Sequence, residues 1–151
     1  MNMGKLKIKD PGSAITHFIA MIMAVFAAVP LLHRALEKPD HIHVIALGIF
    51  IVTMILLYAA STTYHTVNST PRINKILKKL DHCMISVMIA GSYTPVCLVV
   101  LHNKTGYALL ALVWGIAIVG IIFKLCWVTC PKWISSVLYI VMGWACVLSF
   151  T

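Results

Sequence analysis

Tyr58, Ser61, Thr62 and His65 recur at i, i+3, i+4 and i+7, so on a helix they form one polar stripe. Ser61 stands one turn before His65, about 6 Å along the axis. From there its hydroxyl can orient the imidazole or a water. Asp81 and His82 follow further along the chain, and His17 precedes the stripe. Imidazole and carboxylate together suit Zn²⁺, with a coordination position left open for catalysis. Asp81 can serve as a ligand, accept a hydrogen bond from a metal-held water, or act as general base. The same residues also make sense as a structural network, in which Asp81 pairs with a neighbouring His or Lys and fixes a helix bundle. Two or three candidate donors do not complete a tetrahedral site.

The elements that carry these residues are apolar. Of 151 residues, 61% are hydrophobic and 11% charged, against about 45–50% and about 25% in a soluble domain. The mean hydropathy is +0.96. A chain this small cannot hide so much apolar surface in its own interior. Lys, Arg, Asp and Glu are absent from Pro11 to His33, His41 to Pro71, His82 to Asn103, Thr105 to Phe123 and Trp133 to Thr151. A soluble helix carries a charge every turn or two on its wet face. A bilayer core needs roughly 20 apolar helical residues. Five stretches supply them: about Ile15–Leu32, Ile42–Tyr64, Cys83–Leu101, Thr105–Phe123 and Trp133–Thr151. The runs are too continuous for the alternation of a membrane barrel. The expected fold is an all-α integral membrane protein, a transmembrane helix bundle over residues 1–151. The first stretch is read as a span rather than a signal peptide, because no small-residue cleavage pattern follows Pro30.

Alternate loops differ in charge. The N-terminal tail and the second and fourth loops hold nine basic residues: Lys5, Lys7, Lys9, Arg72, Lys75, Lys78, Lys79, Lys124 and Lys132. The other side holds three: Arg34, Lys38 and Lys104. The positive-inside rule places the N-terminus in the cytoplasm, in the cell membrane. On that orientation His17, His65, Asp81 and His82 share the cytoplasmic depth, and an ionisable group at membrane depth is a functional candidate by default. His33, His41, His43 and His102 fall at the opposite face and read as interfacial. The net charge of +8 fits basic loops at the inner leaflet. Nucleic acid is not expected, since no folded basic domain exists to hold it.

Ile73, Ile76, Leu77 and Leu80 in the second loop recur at helical spacing. They form either an amphipathic helix on the leaflet or an extension of the third span. Ala20, Ala24 and Ala28 in the first span, and Ala108, Ala111 and Gly115 in the fourth, are expected packing faces. Pro95 is expected to kink the third span. Trp127 and Trp133 read as interfacial aromatics. Cys83, Cys97, Cys126, Cys130 and Cys146 are odd in number and read as small apolar residues, not a disulfide framework.

A set of segments resembles the bacterial hemolysin III family, within the progestin and adipoQ receptor superfamily. They are Ser61-Thr62-Thr63-Tyr64-His65, a basic loop with Pro71-Arg72, Leu80-Asp81-His82, and Ala90-Gly91-Ser92-Tyr93-Thr94-Pro95. Thr16-His17, Trp114-Gly115, Gly120-Ile121-Ile122-Phe123-Lys124, and Tyr139 with Met142-Gly143-Trp144 add to it. The resemblance implies seven helices and a zinc site near the cytoplasmic face. It makes His65 of the Ser-x-x-x-His motif a ligand, with Asp81 holding a zinc-bound water. Ser61 and Asp81 are then the catalytic candidates. The family's other two ligands come from a His-x-x-x-His motif in the seventh span. This chain lacks that motif and is expected to correspond to the first five helices. The implied function is a zinc-dependent hydrolase acting on a lipid amide bond. The alternative is a sensor or regulator of membrane state with structural zinc, and a pore-forming hemolysin comes third. Membrane lipids are the expected partners, with self-association a further expectation.

Overall fold

The computed structural model describes residues 8–126 and 132–149, and these are helical apart from short connections. Helix α1 spans Pro11–Leu36, α2 Ile42–Thr66, α3 Pro71–Pro95, α4 Lys104–Cys126 and α5 Lys132–Trp144. A π-helical turn, Val96–Leu101, prolongs α3, and a 3₁₀ turn, Ala145–Ser149, prolongs α5. Four of these segments are long and apolar enough to cross a membrane: α1, α2, α3 with its π turn, and α4. At 1.5 Å per residue the 26 residues of α1 reach about 39 Å, beyond the roughly 30 Å of hydrocarbon. The fifth apolar segment is shorter as a helix, Trp133–Val147. The expected fifth span ended at Thr151, which lies outside the described residues, as do Trp127 and Cys130.

Neighbours in sequence are neighbours in space. Helix α1 packs on α2, α2 on α3, α3 on α4, and α5 on α3 and α4. Ala24 is buried, with Ala20 and Ala28 half-buried, and this expected small-residue face of α1 is where α2 approaches. In α4 the expected face is wrong. Ala108, Ala111 and Gly115 are exposed, and the buried side is Gly106, Leu109, Val113, Ala117 and Gly120. Both faces carry small residues, but only the second puts Leu109 and Val113 into the main cluster with Ala90, Tyr93, Cys97, Ala117, Met142 and Ala145.

The basic second loop turns out to be the beginning of α3, with Thr70 as its N-cap accepting from the Ile73 N–H at 3.4 Å. The amphipathic stretch is therefore an extension of the third span. Lys79 reaches from it to the Leu125 carbonyl at the end of α4, 3.0 Å away, a favourable place for a cation.

Pro95 lacks the N–H that would bond the Gly91 carbonyl, and the backbone continues as the π turn. His102 ends it in the left-handed region at φ 37°. It donates its Nδ1–H to the Leu98 carbonyl at 2.8 Å and its backbone N–H to Cys97 at 3.2 Å. The ring thus pairs a carbonyl left over at a helix end. Tyr93 holds α5 to α3: its hydroxyl lies 2.9 Å from the Met142 carbonyl and 2.8 Å from that of Gly143, and accepts from the Cys146 N–H at 2.9 Å. The Trp114 indole donates to Thr94 at 3.2 Å, joining α4 to α3.

Candidate functional site

Three helices bring their polar residues to one end of the bundle. His17 lies in the second turn of α1, Ser61 and His65 in the last turns of α2, and Asp81 with His82 in the third turn of α3. They converge on a cavity of 270 Å³ lined by His17, Leu57, Tyr58, Ser61, His65, Asp81, His82 and Ile85. Tyr58, Ser61 and His65 from the polar stripe of α2 face this space, and Leu57 and Ile85 form an apolar wall. Thr62, the fourth member, does not line it. Its hydroxyl is buried and has no hydrogen-bond partner among the described residues.

The contacts differ from those expected of Ser61. Its hydroxyl pairs with Nδ1 of His17, 2.5 Å away on α1, rather than with His65. The His17 ring meets the His65 ring edge-on, 5.6 Å between centroids, and the Tyr58 ring at 6.0 Å. His65 is held from the other side: its Nδ1 lies 3.0 Å from Oδ2 of Asp10. The Asp10 N–H donates to the His65 carbonyl at 2.9 Å, and the Lys9 ammonium sits 3.4 Å over the Tyr64 ring.

Asp81 stands apart from these pairs. It is 7% exposed and makes no hydrogen bond or ion pair among the described residues. Its place in the cavity wall leaves the carboxylate open to a cation or a proton donor. His82 contributes its backbone carbonyl to a second network: Tyr139 donates to it at 2.7 Å, and Lys124 donates to Tyr139 at 2.7 Å. A second space, of 420 Å³, lies beyond it between Tyr64, Lys78, Ser135 and Tyr139.

The donor types suit zinc, but their number does not complete a site. Among the described residues no three His, Cys, Asp or Glu side chains stand close enough to hold an ion. His65, with Nδ1 engaged, keeps Nε2 as a donor, and Asp81 keeps its whole carboxylate. At the opposite end of the bundle the histidines have local partners. His43 pairs with Asp40 at 2.8 Å and His33 with Glu37 at 3.5 Å. The Asp40 carboxyl titrates below its ordinary range because it accepts the His43 hydrogen bond.

Asp10 was not legible as part of this site. In the sequence it precedes Pro11 and a helical run, which reads as an ordinary N-cap. No periodicity links it to a residue 55 positions away.

A family model described as haemolysin-III related matches residues 6–151. Hemolysin-3 of Bacillus cereus is 38% identical over 141 residues, covering 93% of this chain and 64% of that protein. The hemolysin-3 homolog of Bacillus subtilis strain 168 is 36% identical over 141 residues, covering 93% of this chain and 66% of that protein. The chain therefore spans about two thirds of the length of these relatives.

Proposed function

The chain belongs to the haemolysin-III-related family, and from that membership we propose that it is a zinc-dependent hydrolase cleaving an amide bond of a membrane lipid. The observation that carries this reading is Asp81, 7% exposed and unpaired among the described residues, sharing a cavity with His65. His65 would hold the metal through one ligand atom, and further ligands would come from outside the described residues. A bound zinc ion supplies a Lewis acid that makes water acidic enough to ionise near neutral pH. Asp81 would accept the proton from the attacking water and return it to the leaving amine. Ser61, paired with His17, fixes the α1 wall of the cavity. The apolar wall of Leu57 and Ile85 would receive the hydrocarbon next to the amide.

The nine-to-three asymmetry of basic residues supports a cytoplasmic N-terminus in the cell membrane. Reporters fused after Lys75 should read inside and after Lys38 outside, and the reverse would overturn the orientation.

A second reading is a non-enzymatic regulator of membrane state with structural zinc. The pairs His17–Ser61 and His65–Asp10 favour it, because both already tie α1 to α2 without a metal.

Metal analysis and turnover of a ceramide-like amide by the purified protein separate the two. His65→Ala should lose zinc. Asp81→Asn should keep most of the zinc and lose hydrolysis, since it retains an accepting oxygen but not the charge that draws the proton. Zinc at wild-type stoichiometry in His65→Ala would overturn the ligand assignment. Zinc without turnover in the wild type would leave the regulatory reading.

A further inference from the structure

Asp10 occupies the N-cap position of α1 yet makes no side-chain capping bond. An N-cap aspartate ordinarily accepts a backbone N–H from the first turn. Here the carboxylate turns the other way and takes Nδ1 of His65 at 3.0 Å. The same residue's N–H satisfies the His65 carbonyl at 2.9 Å, one of the carbonyls a helix end leaves unpaired. One residue thus grips both the main chain and the ring of His65, and Lys9 on the Tyr64 ring braces it.

The chemistry of this grip is directional. An ionised carboxylate only accepts hydrogen bonds, so the neutral imidazole beside it carries its proton on Nδ1. The lone pair is then on Nε2, the nitrogen left for the cavity that His65 lines. The edge-on contact with His17 at 5.6 Å opposes rotation of the ring. Fixing the tautomer and direction of a ligating imidazole in this way commonly changes metal affinity 10- to 100-fold.

We propose that Asp10 is a positioning residue of the site: it holds His65 as the Nδ1–H tautomer, with Nε2 presented to the cavity as electron-pair donor to a divalent cation. The cation part rests on the reading of His65 as a ligand, and the tautomer part does not. The Asp10 side chain is 50% exposed, so water competes for it, and its removal belongs at the roughly 10-fold end of that range.

The test uses the full chain labelled with ¹⁵N-histidine in detergent micelles, metal-free. The pH is about 8.5, above the ordinary imidazole range. The His65 signals are assigned by their loss in His65→Gln. Wild-type His65 should be protonated at Nδ1 and bare at Nε2. Asp10→Ala should shift the proton to Nε2, while Asp10→Asn, whose carbonyl still accepts, should keep it on Nδ1. A contact that only anchored the chain would leave the tautomer unmoved by either change. In competition with a chromophoric chelator, Zn²⁺ affinity should fall about 10-fold in Asp10→Ala and little in Asp10→Asn. A wild-type His65 protonated at Nε2, or a tautomer unchanged in Asp10→Ala, overturns the proposal, and the wild-type spectrum decides even if the alanine variant fails to fold. If the tautomers behave as stated but the wild type binds no zinc, Asp10 keeps its positioning role and the zinc reading falls.

Discussion

Gly91→Ala tests the packing that sets α2 against α3. A methyl group at Gly91 would stand 2.8 Å from Cβ and 2.9 Å from Cγ2 of Thr53, and would collide with Oγ1. Thr53 cannot easily give way. It is 5% exposed, β-branched, and its hydroxyl is tied to the Phe50 carbonyl at 2.9 Å. Forcing a methyl group into a close-packed contact costs about 1–3 kcal/mol. Replacing glycine by alanine inside a helix returns up to about 1 kcal/mol. The collision should win by about 1–2 kcal/mol, a 5- to 30-fold fall in the folded-to-unfolded ratio. Reversible unfolding in mixed micelles, followed by circular dichroism, measures it. Thr53→Ala in the same chain should recover part of the loss, because it removes Oγ1 and Cγ2 but leaves Cβ. If Gly91→Ala raised stability by the propensity gain alone, the close approach of the two helices at this point would be refuted.

Tyr93→Phe removes the hydroxyl that accepts from Cys146 and donates towards Met142 and Gly143; a loss of about 1–2 kcal/mol is expected, with faster amide exchange in the 3₁₀ turn as the local reading and unchanged exchange counting against it. At the other end, the Asp40 carboxyl is held below its ordinary range by His43, so the support it gives the α1–α2 turn is present above the unfolded carboxyl pKa and is lost as the pH falls through the depressed folded value. Amide exchange in that turn, corrected for its intrinsic pH dependence, should show protection disappearing in that acidic window, and protection that persisted there would show the pair to be inert.

The membrane fold was readable because it is written in exclusion. Keeping charge out of five stretches is a whole-chain signal that no local contact can mimic. Ser61, His65 and Asp81 were readable as neighbours because each lies near the end of a span, and consecutive spans alternate direction. Their partners were not. His17 and Asp10 find Ser61 and His65 through the way α1 leans on α2, across 44 and 55 positions, and nothing in the spacing encodes that. The α4 face failed for a related reason. Ala108-Ala111-Gly115 and Gly106-Ala117-Gly120 are both stripes of small residues, and only the position of α3 and α5 decides which one turns inwards.

Helix α1 touches α2 and no other helix among the described residues. Every bond that ties it there, from Asp10 to His65 and from His17 to Ser61, is complete once residue 66 has been made. Chains are built from the N-terminus and their early parts fold as units. The two-helix hairpin, with both imidazoles already paired, can therefore form in the membrane while Asp81 is still inside the ribosome. Asp81 then arrives at a cavity whose α1 and α2 walls already stand.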